Sequence, residues 1–510
     1  MSLKLLRSSA VVGAMTMISR VLGFVRDVVV AWGFGASAGT DAFFVAFKIP
    51  NFLRRLFAEG AFSQAFVPVL SEYRTQREHE EVRGLIASVA GTLSGILFLI
   101  TAIGVVAAPI LIYVFAPGFS GDEGKLELAS AMLRWTFPYL LFISLTAFVG
   151  GILNSYGRFA IPALTPVMLN VVLIAAALWL APLVDPPIMA LAIGVFAAGA
   201  IQLGFQLPFL VRLKLLPRPR WNRTHEGVRR IMKLMVPALF GSSVAQINLL
   251  LDTIIASFLV TGSVSWLYYS DRLMEFPLGV FAIAIATVIL PKLSRDHASQ
   301  DADQFSRTLD WGMRGVILVG APAAVALLTL AGPMLSTLFQ HGDFDAHAVS
   351  MARLSLMAYG VGLVGFMLIK VLAPGFYSRQ DTKTPVRIGM IAMGTNMVFN
   401  LILVWPLAHA GLALATTFSA FLNAGLLYRG LRRSGHFTLQ PGWTGFLLRV
   451  TVAISLMGAL LVWLAGDLQT WFDAHGWDRA LRLIGIIVAG ATTYGMALLA
   501  MGMRPAGLRG

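Results

Sequence analysis

The sequence contains no cysteine and little charge. Of its 510 residues, 13% are Asp, Glu, Lys or Arg and 57% are hydrophobic. The absence of cysteine excludes disulfide bonds, thiolate catalysis and cysteine-ligated metals. So few charged residues could not cover the surface of a soluble protein of this length. The composition therefore predicts an integral membrane protein.

Apolar segments follow one another along nearly the whole chain. A helix of about 20 apolar residues crosses the hydrocarbon core of a bilayer. By that criterion we expect an all-α membrane protein with about fourteen transmembrane helices. The first apolar run has no small-residue cleavage site, so we expect it to remain as the first span. The predicted spans centre near Val21, Phe57, Leu97, Leu141, Ile174, Phe196, Ile247, Phe281, Leu318, Gly362, Met393, Phe418, Met457 and Ile487.

The basic residues are concentrated in every second loop between the predicted spans. The net charge is +14, but the cations do not cluster on a soluble face, so we expect no nucleic-acid partner. One alternating set of loops carries most of them, above all the linker of residues 216–230, while the other set offers Lys125, with Arg479 at a span edge. The positive-inside rule places the basic side, and both termini, in the cytoplasm. The linker is predicted to lie on anionic lipid.

Two sequence matches indicate an internal repeat. PVLSEY from Pro68 matches PKLSRD from Pro291, an offset of 291 − 68 = 223, and SYGRF matches FYSRQ at an offset of 221. Shared helix-end chemistry is the alternative explanation. The repeat predicts two lobes of six spans around a central cavity. Their predicted bounds are 1–215 and 231–434, joined by the linker 216–230, with two unpaired spans in 440–510.

Several predicted spans contain ionisable residues, which are costly in a bilayer and face a cavity or one another. Arg20 and Asp27 share a helix face, and Arg55 and Glu59 are one turn apart, so both pairs could neutralise themselves. Pro50 is predicted to kink span two. The charged residues are Arg20, Arg26 and Asp27 in span one, Asp41, Lys48, Arg54, Arg55 and Glu59 in span two, Asp252 in span seven, Asp271, Arg272 and Glu275 in span eight, and Lys370 in span ten.

Positive charge exceeds negative charge in the first two spans. They hold five cations and three anions by the residues named above. A positive cavity suits an anion, and arginine suits phosphate because its planar fork donates two parallel hydrogen bonds. We expect Arg272 of the second lobe to complete a ring of cations around the same ligand.

Four long strings carry a resemblance to a known family. They are SRVLGFVRDVVVAWGFG, TDAFFVAFKIPNFLRRLFAEGAFSQAFVPVL, GSVSWLYYSDRLMEFPLGV and KVLAPGFYSRQDTKTPV. The sequence resembles the MurJ (MviN) family of lipid II flippases over essentially its whole length. The resemblance implies a two-lobed exporter of the bacterial cytoplasmic membrane. It also implies translocation of undecaprenyl-diphosphate-MurNAc(pentapeptide)-GlcNAc to the outer leaflet by alternating access, for peptidoglycan synthesis.

The resemblance also implies roles for individual residues. Arg20, Arg26, Arg54 and Arg272 would bind the diphosphate and sugar head, with Asp41 as an acidic cavity residue. The last two spans would form a groove for the prenyl tail. The remaining intramembrane charges would support the cavity, namely Asp27, Lys48, Arg55, Glu59, Asp271, Glu275 and Lys370.

The energy source has two candidates, sodium and the membrane potential, and no other cofactor is expected. Asp252, Asn396, Asn400 and Thr416 could supply oxygen ligands to a sodium ion. The alternative is that these side chains hydrogen-bond between helices, with Asp252 facing water.

Three other functions compete with lipid II transport. The first is export of another lipid-linked oligosaccharide or of a drug by the same fold. The second is a membrane-embedded transferase acting on polyprenyl-phosphate lipids, which the absence of HExxH or similar histidine pairing disfavours. The third is a scaffold for cell-wall synthesis or division proteins, which could be a second role of the basic linker.

Overall fold

The computed structural model describes the backbone of residues 3–435 and 437–503. Side chains are described over the same ranges except at residues 3–11, 58–60, 123, 237–238, 240–246, 248–249, 282–284 and 286–287. Every regular element within these ranges is helical. The predicted all-α class is therefore confirmed.

The chain divides into two compact units, Met1–Val264 and Ser265–Gly510. The helices of the first are α1 (Leu3–Phe34), α2 (Ala38–Arg54), α3 (Ser63–Gln76), α4 (His79–Val106), α5 (Ala108–Phe115), α6 (Glu123–Thr136), α7 (Tyr139–Ser155), α8 (Ala160–Ala175), α9 (Met189–Arg212) and α10 (Glu226–Ser257). The second unit begins within α11 (Ser263–Pro277). Its other helices are α12 (Ile283–Ala298), α13 (Ala302–Thr329), α14 (Ala331–Phe339), α15 (Ala346–Tyr377), α16 (Lys383–Arg433), α17 (Trp443–Ala465), α18 (Gln469–Phe472) and α19 (Gly476–Ala500).

Nine helices in the described part of the chain are long and apolar enough to cross a membrane. One of them, the 51-residue α16, covers two predicted spans and contains a non-helical residue, Ala408, between them. The remaining four predicted spans, centred near Val21, Phe57, Ile247 and Phe281, coincide with helices that hold most of the intramembrane charges. The structure thus supports a multi-pass membrane fold.

Helix boundaries repeat along the chain at a constant offset. The helices α4 and α13 begin at residues 79 and 302, and α5 and α14 begin at residues 108 and 331, so both differences are 223. Two aspartates that cap helix N-termini show the same spacing: Asp122 accepts from the Lys125 N–H and Asp345 from the Ala348 N–H. The repeat seen in two short strings therefore extends to whole helices and their caps.

A π-helical segment interrupts the same helix in each repeat. The first spans Arg55–Phe62 between α2 and α3, and the second spans Leu278–Ala282 between α11 and α12. Their first residues differ by 278 − 55 = 223. Segments of this kind are rare and occur frequently at functional sites.

The first unit has a core that contains a cluster of phenylalanine rings. Phe62 stacks on Phe66 with ring centroids 5.2 Å apart, and Phe148 lies 5.1 Å from Phe66. Helix α10 contributes Val228 and Ile231 to this core. The contacts of α10 thus place it in the first unit, whereas the sequence repeat assigns it to the second lobe. The predicted lobe boundaries remain a prediction.

Hydrogen bonds join the C-terminal helices to α13 within the second unit. The buried carboxylate of Asp310 accepts hydrogen bonds from the Trp443 indole N–H at 2.6 Å, from Arg314 at 2.7 Å and from the Gln440 backbone N–H at 3.2 Å. Farther along α13, Tyr494 of α19 donates to the Leu318 carbonyl at 2.8 Å. These bonds hold α17 and α19 against α13.

Candidate head-group site

A buried arginine forms the centre of the charged region of α1. Arg26 donates from Nε and Nη2 to Asp27 Oδ1 at 3.0 and 2.6 Å, and both side chains are buried. Its Nη1 donates to Asn170 Oδ1 of α8 at 3.0 Å. Asn170 in turn donates to the Ser19 carbonyl at 3.0 Å. Arg26 is therefore held by two helices in a defined orientation.

Arg20 lies two turns before Asp27 on the same helix and is exposed. Sequence spacing left open a pair between these two residues, but the Asp27 carboxylate is bound by its neighbour Arg26. Burying an ion pair is tolerated when further hydrogen bonds complete it, and Asn170 provides one. The structure thus gives Arg20 and Arg26 different environments, one accessible and one enclosed.

Asp41 lies at the start of α2 and is almost fully buried. Its Oδ2 accepts from Lys125 Nζ at 2.9 Å and from the Gly262 backbone N–H at 2.8 Å. The Lys125 ammonium is also 4.3 Å from the centroid of the Phe119 ring. This ion pair joins three chain segments of the first unit: the start of α2, the start of α6 and the connection between α10 and α11.

Pro50 lies inside α2, which continues to Arg54, and the kink expected there stays a prediction. Proline cannot donate to the carbonyl four residues earlier, which is that of Ala46. The hydroxyl of Thr136 on α6 donates to this carbonyl at 2.9 Å. Irregular backbone begins only at Arg55, where the π-helical segment starts. A side chain from a neighbouring helix thus satisfies the carbonyl that Pro50 leaves without its helical donor.

Replacing Thr136 with valine tests this substitute bond. Valine has the same shape but cannot donate, so the buried Ala46 carbonyl would lose its partner at a cost of about 1–3 kcal/mol. We expect a lower midpoint of thermal unfolding for Thr136→Val in detergent and no loss for Thr136→Ser. Equal midpoints for Thr136→Val and the native protein would contradict the role assigned to the hydroxyl.

The remaining charges of span two occupy the end of α2 and the π-helical segment. Arg54 is half-buried and its Nε donates to Asn51 Oδ1 at 3.2 Å. Lys48 is half-buried and Arg55 is exposed. The side chain of Glu59 lies outside the described residues, so its pairing with Arg55 stays a prediction.

In the second unit, the predicted cations and anions are on α11 and α15. Arg272 forms an ion pair with Glu275 at 3.0 Å, and its guanidinium lies 5.2 Å from the Tyr268 ring centroid. Asp271 is half-buried and Lys370 is exposed. Tyr268 thus positions the guanidinium of Arg272 and accepts from its Nε and Nη2 at 3.3 Å, while the side chain stays partly exposed.

The four residues of the predicted sodium site fall in different units. Asn396 and Asn400 are one turn apart on α16 and fully buried, and Thr416 on the same helix donates to the Leu412 carbonyl at 3.0 Å. Asp252 is half-buried on α10 of the first unit. Carboxamide and carboxylate oxygens are the ligand types that a hard cation prefers.

Sequence reasoning missed three residues that shape this region. By sequence, Lys125 is only a rare cation in one set of loops, Asn170 is a single amide in an apolar span, and Thr136 is one of two hydroxyl residues in α6. A lone polar residue in a membrane helix is a general signal for an internal contact. Its partner cannot be read from spacing because these contacts join residues 84, 144 and 90 positions apart.

Comparison with known proteins identifies the family. Residues 30–475 match the family model described as lipid II flippase MurJ. A probable lipid II flippase MurJ of Vibrio cholerae is 52% identical over 99% of this chain and 97% of that protein. The lipid II flippase MurJ of Burkholderia cenocepacia is 42% identical over 99% of both chains.

Solved structures agree in fold. A structure of lipid II flippase MurJ in an inward closed conformation matches with a TM-score of 0.79 and 27% identity, covering 96% of this chain and 99% of that chain. An inward-facing multidrug transporter of the MATE family matches with a TM-score of 0.66 at 14% identity, over 84% of this chain, and shows the fold alone. The chain therefore belongs to the MurJ family of lipid II flippases.

Proposed function

We propose that the chain translocates lipid II, the undecaprenyl-diphosphate-linked peptidoglycan precursor, from the inner to the outer leaflet of the bacterial cytoplasmic membrane. The observation that carries this proposal is the family match over nearly the whole chain, which includes the arginine-bearing helices. A multi-pass transporter needs no catalytic residues, and the family is one of transporters.

The proposal includes the finer architecture. Fourteen transmembrane helices, with both termini in the cytoplasm, would form two six-helix lobes around the cavity and a C-terminal pair for the prenyl tail. The constant offset between helix boundaries supports the two-lobe arrangement. The apolar lengths of α17 and α19 support their assignment to the membrane.

The arginines supply the chemistry of recognition. A diphosphate and its sugars are too polar to cross the hydrocarbon unaided, whereas the prenyl tail can stay in lipid throughout. Arg20, Arg26, Arg54 and Arg272 would donate charge-assisted hydrogen bonds to the head group. Mutual repulsion among these cations would resist closure of an empty cavity, and the bound diphosphate would relieve it.

The test is the leaflet accessibility of lipid II in cells depleted of this protein. We expect lipid II to accumulate on the cytoplasmic side, and the native chain to restore its exposure outside. Arg272→Glu should abolish restoration because it reverses the charge at a partly exposed site, while Glu275→Gln serves as a control at its ion-pair partner. Unchanged outer exposure on depletion, with no second flippase present, would overturn the proposed function.

We also propose that sodium is coupled to transport through oxygens of Asp252, Asn396, Asn400 and Thr416. The chemistry of these donors and the full burial of the two asparagines support the proposal. The bound ion would add a positive charge within the membrane, and the oxygens of these residues would hold it there. Coupling to the membrane potential is the competing energy source.

Sodium dependence is measurable in proteoliposomes. We expect the transport rate to rise with sodium concentration, and Asp252→Asn to lose that dependence because it removes the negative ligand. Asp252→Glu, which keeps the charge, should retain part of it. Equal rates in sodium and in potassium, unaffected by Asp252→Asn, would refute sodium coupling.

A further inference from the structure

The first unit contains an apolar pocket that the proposed transport cycle does not use. It has a volume of about 190 Å³ and lies between α4, α7, α10 and the π-helical segment. An apolar cavity of about 150 Å³ is large enough to bind benzene. The pocket can therefore accept a short run of methylene groups. Its lining includes Phe57, Leu93, Ile96, Leu140, Met232 and Val236.

The pocket opens along α10, between apolar side chains that are exposed. Met232 and Val236 line it, yet are 45% and 54% exposed. In a membrane-spanning helix, an exposed apolar side chain contacts acyl chains. An acyl chain is therefore the occupant that reaches this opening from the bilayer.

Two cations lie on the same stripe of α10 as this opening. Arg229, Met232, Lys233 and Val236 are spaced at i, i+3, i+4 and i+7, which places them on one helix face. Arg229 and Lys233 are exposed at the cytoplasmic start of the helix. Their neighbour Arg230 instead forms an ion pair with Glu72 at 2.8 Å. The stripe thus presents positive charge beside the mouth of an apolar pocket.

Two hydroxyl groups complete the pocket. Thr92 and Ser144 line it, each is 3% exposed, and neither side-chain oxygen has a hydrogen-bond partner in the described part of the protein. A buried hydroxyl without a partner is costly, so a ligand that accepts hydrogen bonds here would be favoured. An ester carbonyl of a glycerophospholipid is such an acceptor, whereas a prenyl chain has none.

We propose that this pocket binds an anionic glycerophospholipid of the cytoplasmic leaflet. Arg229 and Lys233 hold its phosphate, one acyl chain enters the pocket, and an ester carbonyl accepts from Thr92 or Ser144. The site is separate from the proposed head-group residues and binds a resident membrane lipid rather than the cargo.

The proposal is tested on the full chain, purified in neutral detergent and stripped of lipid. We expect dioleoylphosphatidylglycerol to raise the midpoint of thermal unfolding by roughly 2–4 °C, because a ligand that binds only the folded state stabilises it. Arg229→Gln/Lys233→Gln should weaken binding about tenfold. The charge-matched control Arg429→Gln/Arg433→Gln changes two exposed cations that are also four residues apart, on α16, and should bind like the native protein.

Three further comparisons identify the ligand. Ile96→Phe fills the pocket and should abolish the shift while leaving the midpoint without lipid unchanged; if it fails to fold, Thr92→Val/Ser144→Ala replaces it. The diether analogue of the same lipid should bind more weakly than the diester. Dioleoylphosphatidylcholine should give a smaller shift.

The opposite results overturn the proposal. An equal shift with phosphatidylcholine, or an unchanged affinity in the Arg229/Lys233 variant, removes the role of the anionic head group. Equal binding of the diether lipid removes the ester contact. If undecaprenyl diphosphate displaces phosphatidylglycerol at lower concentration, the pocket belongs to the cargo's tail. None of these results bears on whether the chain transports lipid II, which the depletion experiment measures.

Discussion

A protein carrying both Arg26→Gln and Asp27→Asn will fold like the native chain and fail to expose lipid II in the outer leaflet. The double change removes both members of a buried ion pair, so neither is left facing the other's neutral replacement. The amide of residue 26 can still reach toward Asn170, but the guanidinium proposed to bind diphosphate is gone. Lipid II accessibility in a depleted strain measures transport, and the unfolding midpoint of the purified protein measures stability.

The single variants separate stability from transport. Arg26→Gln alone removes the cation that binds the buried Asp27 carboxylate at 2.6 Å, and Asp27→Asn alone removes the anion at the same distance from Arg26. Each should cost about 3–5 kcal/mol of stability. If the double variant is stable and transports at the native rate, Arg26 is a structural residue and its proposed contact with the head group is wrong.

Lys125→Met will destabilise the first unit by about 3–5 kcal/mol, because it removes the ammonium that binds the buried Asp41 carboxylate at 2.9 Å. The side chains of Lys125 and Asp41 are 5% and 1% exposed, so solvent cannot compensate. The unfolding midpoint of the purified protein measures the loss. Lys125→Arg should lose less, since it keeps the charge.

A double-mutant cycle gives the strength of this pair. Asp41→Asn/Lys125→Met should be more stable than either single variant, because it buries no charge and the asparagine oxygen can still accept from Gly262. Additive losses in the double variant would show that the two side chains do not interact. The exposed pair Arg83 and Glu80, whose removal should cost well under 1 kcal/mol, is the matched comparison.

Much of the fold followed from the sequence because it depends on local patterns. Apolar runs of sufficient length mark the spans, and the repeat of 223 residues was visible in two short strings before the helix boundaries showed it in full. The charged residues could also be located on helices α1, α2 and α11. Sequence spacing did not identify the residues that contact these charged side chains.

The sequence did not show these partners because helix packing brings together residues that are far apart in the chain. Spacing favoured Asp27 with Arg20, yet the adjacent Arg26 and the distant Asn170 complete that site. The family resemblance places Asp41 in a cavity, and its carboxylate is buried in an ion pair with Lys125 of α6. Likewise, spacing did not show that Thr136, on another helix, donates to the Ala46 carbonyl, four residues before Pro50.

The paired π-helical segments have a consequence for the ancestry of the chain. Each residue added to an α-helix turns everything after it by about 100° relative to everything before it. Losing the extra residue in one half would therefore rotate Arg54 away from its present direction relative to the Phe66 core. Because both halves begin the segment at equivalent positions, the simplest history places it in a half-length ancestor, before gene duplication. The two halves have since acquired different charges around a common irregularity.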